Sequence, residues 1–290
     1  MTWKQSGFSD FLLYLRCTET PFMTDNDRLI DLDKVVAMKF KGKKIPRFVI
    51  DRLKKFIHQD FLNSILSDDS EGVEFCEHTL RSMNVTIEVE GLENVPADGT
   101  LYTFASNHPL GGVDGLALCS VIGRRFGDVK MPVNDFLMYI KPLEPLFLPV
   151  NKTGTLARNL PAMLDAAFRS GDQILIFPAG ICSRRIDGKV QDLPWTKTFI
   201  TKSKATSRAV VPVRFVGENS RRFYRVANLC KFLKLKFNFA MLYLPDEMYR
   251  ARNAHFKVIF GKPVPAETFD GSRTPLQWAA YMREKVYQLH

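Results

Sequence analysis

Ser106-Asn107-His108-Pro109-Leu110-Gly111-Gly112-Val113-Asp114-Gly115 is the stretch on which the reading of this chain turns. It follows the apolar run Leu101-Tyr102-Thr103-Phe104-Ala105, which predicts a buried strand. It precedes Leu116-Ala117-Leu118-Cys119-Ser120-Val121-Ile122, which predicts a helix. An imidazole and a carboxylate therefore sit on a turn at a strand end, where catalytic groups are often carried. The two glycines permit a tight path with positive φ that folds Asp114 back toward His108. A carboxylate bonded to one ring nitrogen fixes the tautomer and leaves the other nitrogen to take a proton. The same residues admit a structural reading, with Asp114 capping the helix and His108 a hydrogen-bonded strand-end residue. The rest of the chain decides between the two.

Outward from this segment, strands and helices alternate. Val85-Thr86-Ile87-Glu88-Val89 alternates as a half-exposed strand, and Pro96 and Gly99 mark the turn into the His108 strand. Beyond Asp114 the pattern predicts a helix, a short strand over 129–132, and a proline-rich segment ending in Leu146-Phe147-Leu148-Pro149-Val150-Asn151-Lys152. A helix over 156–169, a strand over 173–177, a helix over 195–208 and a strand over 210–216 follow. Near the C-terminus a strand over 256–260 ends at Gly261-Lys262-Pro263, and Thr274-Pro275 opens a last helix with Thr as cap. This order predicts an α/β class with a largely parallel central sheet and flanking helices. Upstream, Ile50, Leu53, Ile57 and Phe61 share a helical face over 46–66, a second helix is expected over 71–83, and residues 1–30 read as irregular. No internal repeat or low-complexity linker divides the chain, so one domain with an N-terminal helical extension is the simplest division.

With 290 residues, 46% hydrophobic and 25% charged, the chain is ordinary globular material with enough length to bury a large core. No stretch reaches the roughly 18–20 apolar residues of a membrane-spanning helix. Phe11-Leu12-Leu13-Tyr14-Leu15 is too short for a signal-peptide core. The five cysteines are scattered without a C-x-x-C pair, which argues against a disulfide framework or a zinc site and fits a reducing, cytoplasmic compartment. The formal charge of +10 is local: 14 Lys and Arg face 3 Asp and Glu between Arg184 and Lys236, and the remainder is close to neutral. Charge of this kind suits an anionic membrane, an acidic carrier or nucleic acid.

Four blocks in order carry a resemblance: Asn107-His108 with Asp114; Phe147-Leu148-Pro149-Val150-Asn151-Lys152; Phe177-Pro178-Ala179-Gly180; and Val210-Val211-Pro212-Val213. Over roughly 85–265 the chain resembles the glycerolipid acyltransferases, the 1-acylglycerol-3-phosphate acyltransferase superfamily. The resemblance implies that family's fold, with 1–84 as the helical extension and 85–290 as the acyltransferase domain. Three departures stand out. Five residues, not the family's four, separate His108 from Asp114. Ala179 stands where the family usually has Glu, followed by Ile181-Cys182-Ser183-Arg184-Arg185. The second block lacks the family's Arg and has Asn151-Lys152 nearby. These changes fall where the family holds the acceptor head group. The His-Pro-Leu-Gly-Gly-x-Asp-Gly form and the Phe-Pro-Ala-Gly block look most like the haemolysin-like branch that includes the ornithine- and glycine-lipid O-acyltransferases. There the resemblance implies an N-(3-hydroxyacyl) amino acid as acceptor, whose hydroxyl receives a fatty acyl chain from a carrier thioester.

Such a transfer needs a base, an oxyanion stabiliser and exclusion of water. His108 is the candidate base and Asp114 its orienter, and the N–H groups of the Gly111-Gly112 turn or of the Ala179-Gly180 turn are candidates for the oxyanion. Asn107, Phe177, Pro178 and Ala179 are expected to line the substrate. Arg184 and Arg185, and more weakly Lys152, suit the acceptor head group or the carrier's phosphopantetheine arm, since an Arg fork binds carboxylate or phosphate in bidentate fashion. Cys182 raises a thiol nucleophile as a rival idea, against the inertness of most buried cysteines. No metal and no resident cofactor are expected; acyl carrier protein or coenzyme A thioester is the co-substrate. Arg221-Arg222-Phe223-Tyr224-Arg225 and Lys231-Phe232-Leu233-Lys234-Leu235-Lys236-Phe237 interleave basic and aromatic residues, an arrangement suited to an anionic membrane surface. A peripheral enzyme on the cytoplasmic face of the membrane is the expectation. Lysophospholipid as acceptor stays open, as does a lipid hydrolase using the same His–Asp pair; a nucleic-acid-binding protein would have no use for the four blocks.

Overall fold

A computed structural model describes residues 28–39, 45–133, 140–149, 154–233 and 242–290. Lys152 and residues 234–241, including Lys234, Leu235, Lys236 and Phe237 of the basic stretch, lie outside the described residues.

Four helices lead into the sheet: α1 (Leu32–Lys39), α2 (Arg47–Phe56), α3 (Gln59–Leu66) and α4 (Gly72–Ser82). The single helix expected over 46–66 is two. His58 breaks it with a left-handed backbone at φ 52°. A tertiary contact accounts for the break: the His58 ring stacks on Tyr249 at 3.8 Å, and its Nε2 lies 2.8 Å from Asp246 Oδ1. Helical periodicity continues through this point and carries no sign of these contacts.

Strands β1 (Thr86–Glu90), β2 (Tyr102–Ser106), β3 (Val129–Val133), β4 (Phe147–Pro149), β5 (Gln173–Ile176), β8 (Ala209–Val216) and β9 (His255–Phe260) form one seven-stranded sheet in the order β1-β9-β8-β2-β5-β3-β4. Every neighbouring pair is parallel except β8 with β9. The crossovers contain α5 (Val113–Phe126), α6 (Gly154–Arg169) and α7 (Thr198–Ala205); α8 (Arg221–Phe232) and α9 (Leu244–Arg250) precede β9, and α10 (Pro275–Gln288) closes the chain. A separate antiparallel hairpin joins β6 (Arg184–Ile186) to β7 (Lys189–Gln191). The mixed α/β class with a mostly parallel sheet and flanking helices is what the alternation predicts.

β2 lies near the middle of the sheet and is buried along its whole length. Its alternate residues point to two different cores, which is why the run carries no charge and its two hydroxyl residues, Thr103 and Ser106, are buried. Phe104 joins Phe75, Cys76, Leu80, Leu118, Ile122, Phe215 and Phe260 in a core shared with α4 and α5. Ala105 faces Trp195, Phe199, Trp278 and Met282 beside α7 and α10, and Thr103 accepts a bond from Ser203 of α7 at 2.8 Å. α7 is shorter than the helix expected over 195–208, because the Trp195 indole N–H bonds to Asp192 at 2.8 Å ahead of the first helical turn. α10 begins as its sequence requires, with Thr274 and Gln277 in a capping box and Pro275 at the first position. Among the described residues no helix is long and apolar enough to cross a membrane.

Candidate active site

The parallel register aligns the carboxyl ends of β2, β5 and β8, since Ala105 stands opposite Ile176 and Ser106 opposite Val213. The segments that leave those ends therefore meet at one edge of the sheet, the usual place for a site in a parallel α/β fold. His108 leaves β2 and Phe177 leaves β5, and their rings stack with centroids 4.0 Å apart.

The turn after His108 is built around one oxygen. Asp114 Oδ2 lies 3.0 Å from His108 Nδ1 and accepts the N–H groups of Leu110 at 2.8 Å and Gly111 at 3.2 Å. α5 begins at Val113 with Gly112 in the N-cap position, so Asp114 is a first-turn residue and not the cap. Its carboxylate bends back over the preceding loop, and five intervening residues leave it within reach of the imidazole. Gly111 makes the path possible: its φ is +82°, and a Cβ there would run into Cys182 Sγ and Leu244.

Electrostatics follow from this packing. Asp114 is fully buried. Burial alone would raise its pKa, yet His108 and the N–H groups of Leu110 and Gly111 outweigh burial and hold it below the ordinary carboxylate value. The His108 side chain is 17% exposed. Burial works to lower its pKa, but the charge and hydrogen bond of Asp114, with Asp192 adding, carry it above the ordinary 6.5. Nδ1 is occupied by Asp114, and Nε2 has no partner among the described residues. Such a ring can take a proton at Nε2 while Asp114 stabilises the charge that forms.

The remaining candidates divide. Asn107 does not face a ligand: its amide donates to the Phe215 carbonyl at 2.9 Å and accepts the Phe215 N–H at 2.8 Å, stitching the end of β2 to β8. Pro178 is buried and its carbonyl receives Thr196, while Ala179 is half-buried against the α7 and α10 core. Of the glycines proposed to meet an oxyanion, Gly111 gives its N–H to Asp114 and Gly180, at φ +69°, gives its N–H to the Phe177 carbonyl at 2.9 Å. Among these glycines the Gly112 N–H lacks a partner within the described residues, as does the Ala179 N–H of the other turn.

The two arginines, adjacent in sequence, end up in different environments. Arg185 pairs with Glu218 at 2.8 Å, gives a bond to the Gly188 carbonyl and lies over the Tyr224 ring. Its charge is already neutralised. Arg184 is 7% exposed and donates only to the carbonyls of Cys182 and Ser183; among the described residues no carboxylate pairs with it. Burial pushes its pKa down, the mark of a desolvated cation without an anion. Both arginines belong to the first strand of the β6–β7 hairpin. Burial foremost, with the nearby Asp114 charge, pushes the Cys182 thiol up to about 12, which disfavours the thiolate.

Asp192 carries no signal in the sequence. It is 1% exposed and receives the His108 backbone N–H, yet it lies 84 residues away in the chain with no local pattern to single it out.

Known proteins share this chain's pattern. A family model described as Acyltransferase matches residues 34–290. A lyso-glycine lipid O-acyltransferase of Bacteroides thetaiotaomicron is 52% identical over 273 residues, covering 92% of this chain and 100% of that protein. A protein of the same name from Phocaeicola vulgatus is 49% identical, covering 92% of this chain and 98% of its own. The crystal structure of the 1-acyl-sn-glycerophosphate (LPA) acyltransferase PlsC from Thermotoga maritima covers 82% of this chain and 90% of that one, at 15% identity and a TM-score of 0.43. That likeness is too distant to bear on the site. The family match over nearly the whole chain and the two relatives at about half identity show that this protein belongs to the acyltransferase family and is an acyl-transferring enzyme.

Proposed function

We propose that the enzyme transfers a fatty acyl chain from a carrier thioester, on acyl carrier protein or coenzyme A, to the hydroxyl of a lyso-lipid, with His108 as general base. The acceptor class is an N-(3-hydroxyacyl) amino acid, in keeping with the name of the two relatives. The observation that carries this reading is Asp114 fixed on Nδ1 while Nε2 is left without a partner among the described residues. The acceptor hydroxyl gives its proton to Nε2 as its oxygen bonds to the thioester carbonyl carbon. The tetrahedral oxyanion is met by the Gly112 N–H at the start of α5. On collapse the C–S bond breaks, and the proton held by His108 leaves with the thiolate. No covalent enzyme intermediate is needed, which agrees with a Cys182 whose thiolate is disfavoured.

Arg184 supplies the acceptor contact. A buried guanidinium with no carboxylate beside it is costly, and an amino-acid carboxylate from the acceptor would neutralise it in bidentate fashion. Phe177, stacked on His108, lines the route to the ring. The enzyme's partner surface is an anionic membrane. On α8, Arg221, Arg225, Leu229 and Phe232 lie along one exposed stripe, cationic at its start and apolar at its end. Phe232 is 81% exposed, Leu229 55% and Leu233 52%. The inner face of α8 packs Phe223, Tyr224 and Ala227 against Cys182, so the helix that carries this stripe is anchored beside the β6–β7 hairpin.

Purified protein given an acyl thioester and a panel of acceptors tests the assignment by mass spectrometry. An N-(3-hydroxyacyl)glycine is expected to gain one acyl chain with release of one thiol. Acylation of a lysophospholipid in preference would replace the acceptor, and release of free fatty acid without any acylated acceptor would mark a hydrolase.

A further inference from the structure

A second buried carboxylate holds the main chain of His108. Asp192 Oδ1 accepts the His108 backbone N–H at 3.2 Å and the Ser183 hydroxyl at 2.5 Å, and its Oδ2 accepts the Trp195 indole N–H at 2.8 Å. Ser183 completes the arrangement by donating its own N–H to the His108 carbonyl at 2.7 Å. Both polar groups of the His108 main chain are thus held by one serine–aspartate pair. That pair is tied further to α10, because the Asp192 N–H donates to the Tyr287 hydroxyl at 2.8 Å and Arg283 donates to the Asp192 carbonyl at 2.8 Å.

Ser183 and Asp192 also bracket the β6–β7 hairpin, whose first residue is Arg184. The hairpin that carries the buried guanidinium is therefore bonded at both of its ends to the residue that carries the imidazole. A carboxylate withdrawn from water is expensive unless its lone pairs are filled, and an apolar residue would serve packing alone at least as well. Burial pushes the Asp192 carboxyl above its ordinary value, while its three donors and the nearby His108 charge work against that and favour the carboxylate.

We propose that Asp192 is a positioning residue for acyl transfer: together with Ser183 it fixes the His108 main chain and holds the imidazole at a set offset from the Arg184 guanidinium. The inference rests on His108 as the base and adds the groups that place it. The titratable and charged groups acting on the ring are Asp114 from α5, Asp192 after β7 and Arg184 from β6, with the un-ionised Cys182 thiol buried nearby. Burial of the ring lowers its pKa, Arg184 also lowers it, and the two carboxylates raise it. Neutralising Asp192 therefore moves the protonation of His108 to lower pH, an effect that loss of packing alone would not produce.

Asp192→Asn and Ser183→Ala, made in the full chain and assayed with an acyl thioester and an N-(3-hydroxyacyl)glycine acceptor, test this. Asp192→Asn keeps an oxygen for the His108 N–H but loses the charge. Its kcat is expected to fall about 10-fold or more, with the acidic limb of kcat/KM displaced to lower pH. Ser183→Ala retains the charge, so kcat is expected to fall with that limb in place. An Asp192→Asn protein with wild-type kcat, or one that is folded by circular dichroism and slow but has an unmoved acidic limb, overturns the proposal. If Asp192→Asn does not fold, Ser183→Ala decides: unchanged kcat overturns the proposal, and a reduced kcat in a folded protein supports it. Normal turnover of His108→Ala would instead remove the base itself, a failure separate from this one.

Discussion

Asp114 Oδ2 stands 3.0 Å from His108 Nδ1 and takes the N–H groups of Leu110 and Gly111 as well, so one oxygen organises both the ring and the loop that carries it. His108 and the loop N–H groups keep the carboxylate ionised, and the ionised carboxylate keeps the ring in the tautomer that leaves Nε2 as acceptor.

The pH dependence follows with a definite sign. A His108 pKa raised above 6.5 means the protonated ring persists past that value, and the neutral form that can accept a proton is lost as pH falls through it. The acidic limb of kcat/KM in the wild type is expected above pH 6.5. Asp114→Asn removes the attraction that raises the ring, so its limb moves to lower pH and kcat drops. A limb that stays in place in Asp114→Asn would show that another group sets it.

The glycine pair predicts unequal outcomes for two neighbouring substitutions. Gly111→Ala places a Cβ against Cys182 and Leu244 at φ +82°, and a destabilisation of about 1–3 kcal/mol is expected for such a backbone. Gly112→Ala meets nothing within 4 Å, so its loss of stability should be smaller than that of Gly111→Ala. Denaturant unfolding of the two proteins checks this; equal stabilities would contradict the packing described.

Arg184 and Arg185 should separate in kinetics. Arg184→Gln is expected to raise the acceptor KM for a free carboxylate acceptor and to have little effect with its methyl ester, while Arg185→Gln leaves both near wild type. An equal loss with acid and ester would remove Arg184 from carboxylate recognition.

The α8 stripe predicts membrane binding with two components. Wild-type protein should sediment with phosphatidylglycerol vesicles more than with phosphatidylcholine vesicles, and less at high salt. Replacing Leu229, Phe232 and Leu233 by Ser should abolish sedimentation while leaving turnover of a short-chain, soluble acceptor intact. Unchanged sedimentation would place the membrane surface elsewhere.

What the sequence disclosed depended on how far the relevant contacts reach. His108 and Asp114 lie in one ten-residue turn, so their pairing is legible in the sequence. The parallel sheet was equally legible, from strands and helices that alternate along the chain. Asp192 was not, because it reaches His108 through a backbone N–H across 84 residues. Arg184 and Arg185 look interchangeable as letters; only the strand pairing that turns one inward and gives the other Glu218 separates them. Asn107 and Gly180 read as ligand contacts because they adjoin the key turns, whereas their polar groups complete the backbone of those turns. The break at His58 likewise depends on Tyr249 and Asp246, which helical periodicity cannot show.

The turnover number of His108→Ala, measured with thioester and lyso-lipid acceptor on protein whose fold is confirmed by circular dichroism, tests the central claim most directly. A fall in kcat of about 10²- to 10⁴-fold is predicted, the range expected for loss of a general base. Near-normal turnover in that variant would contradict it.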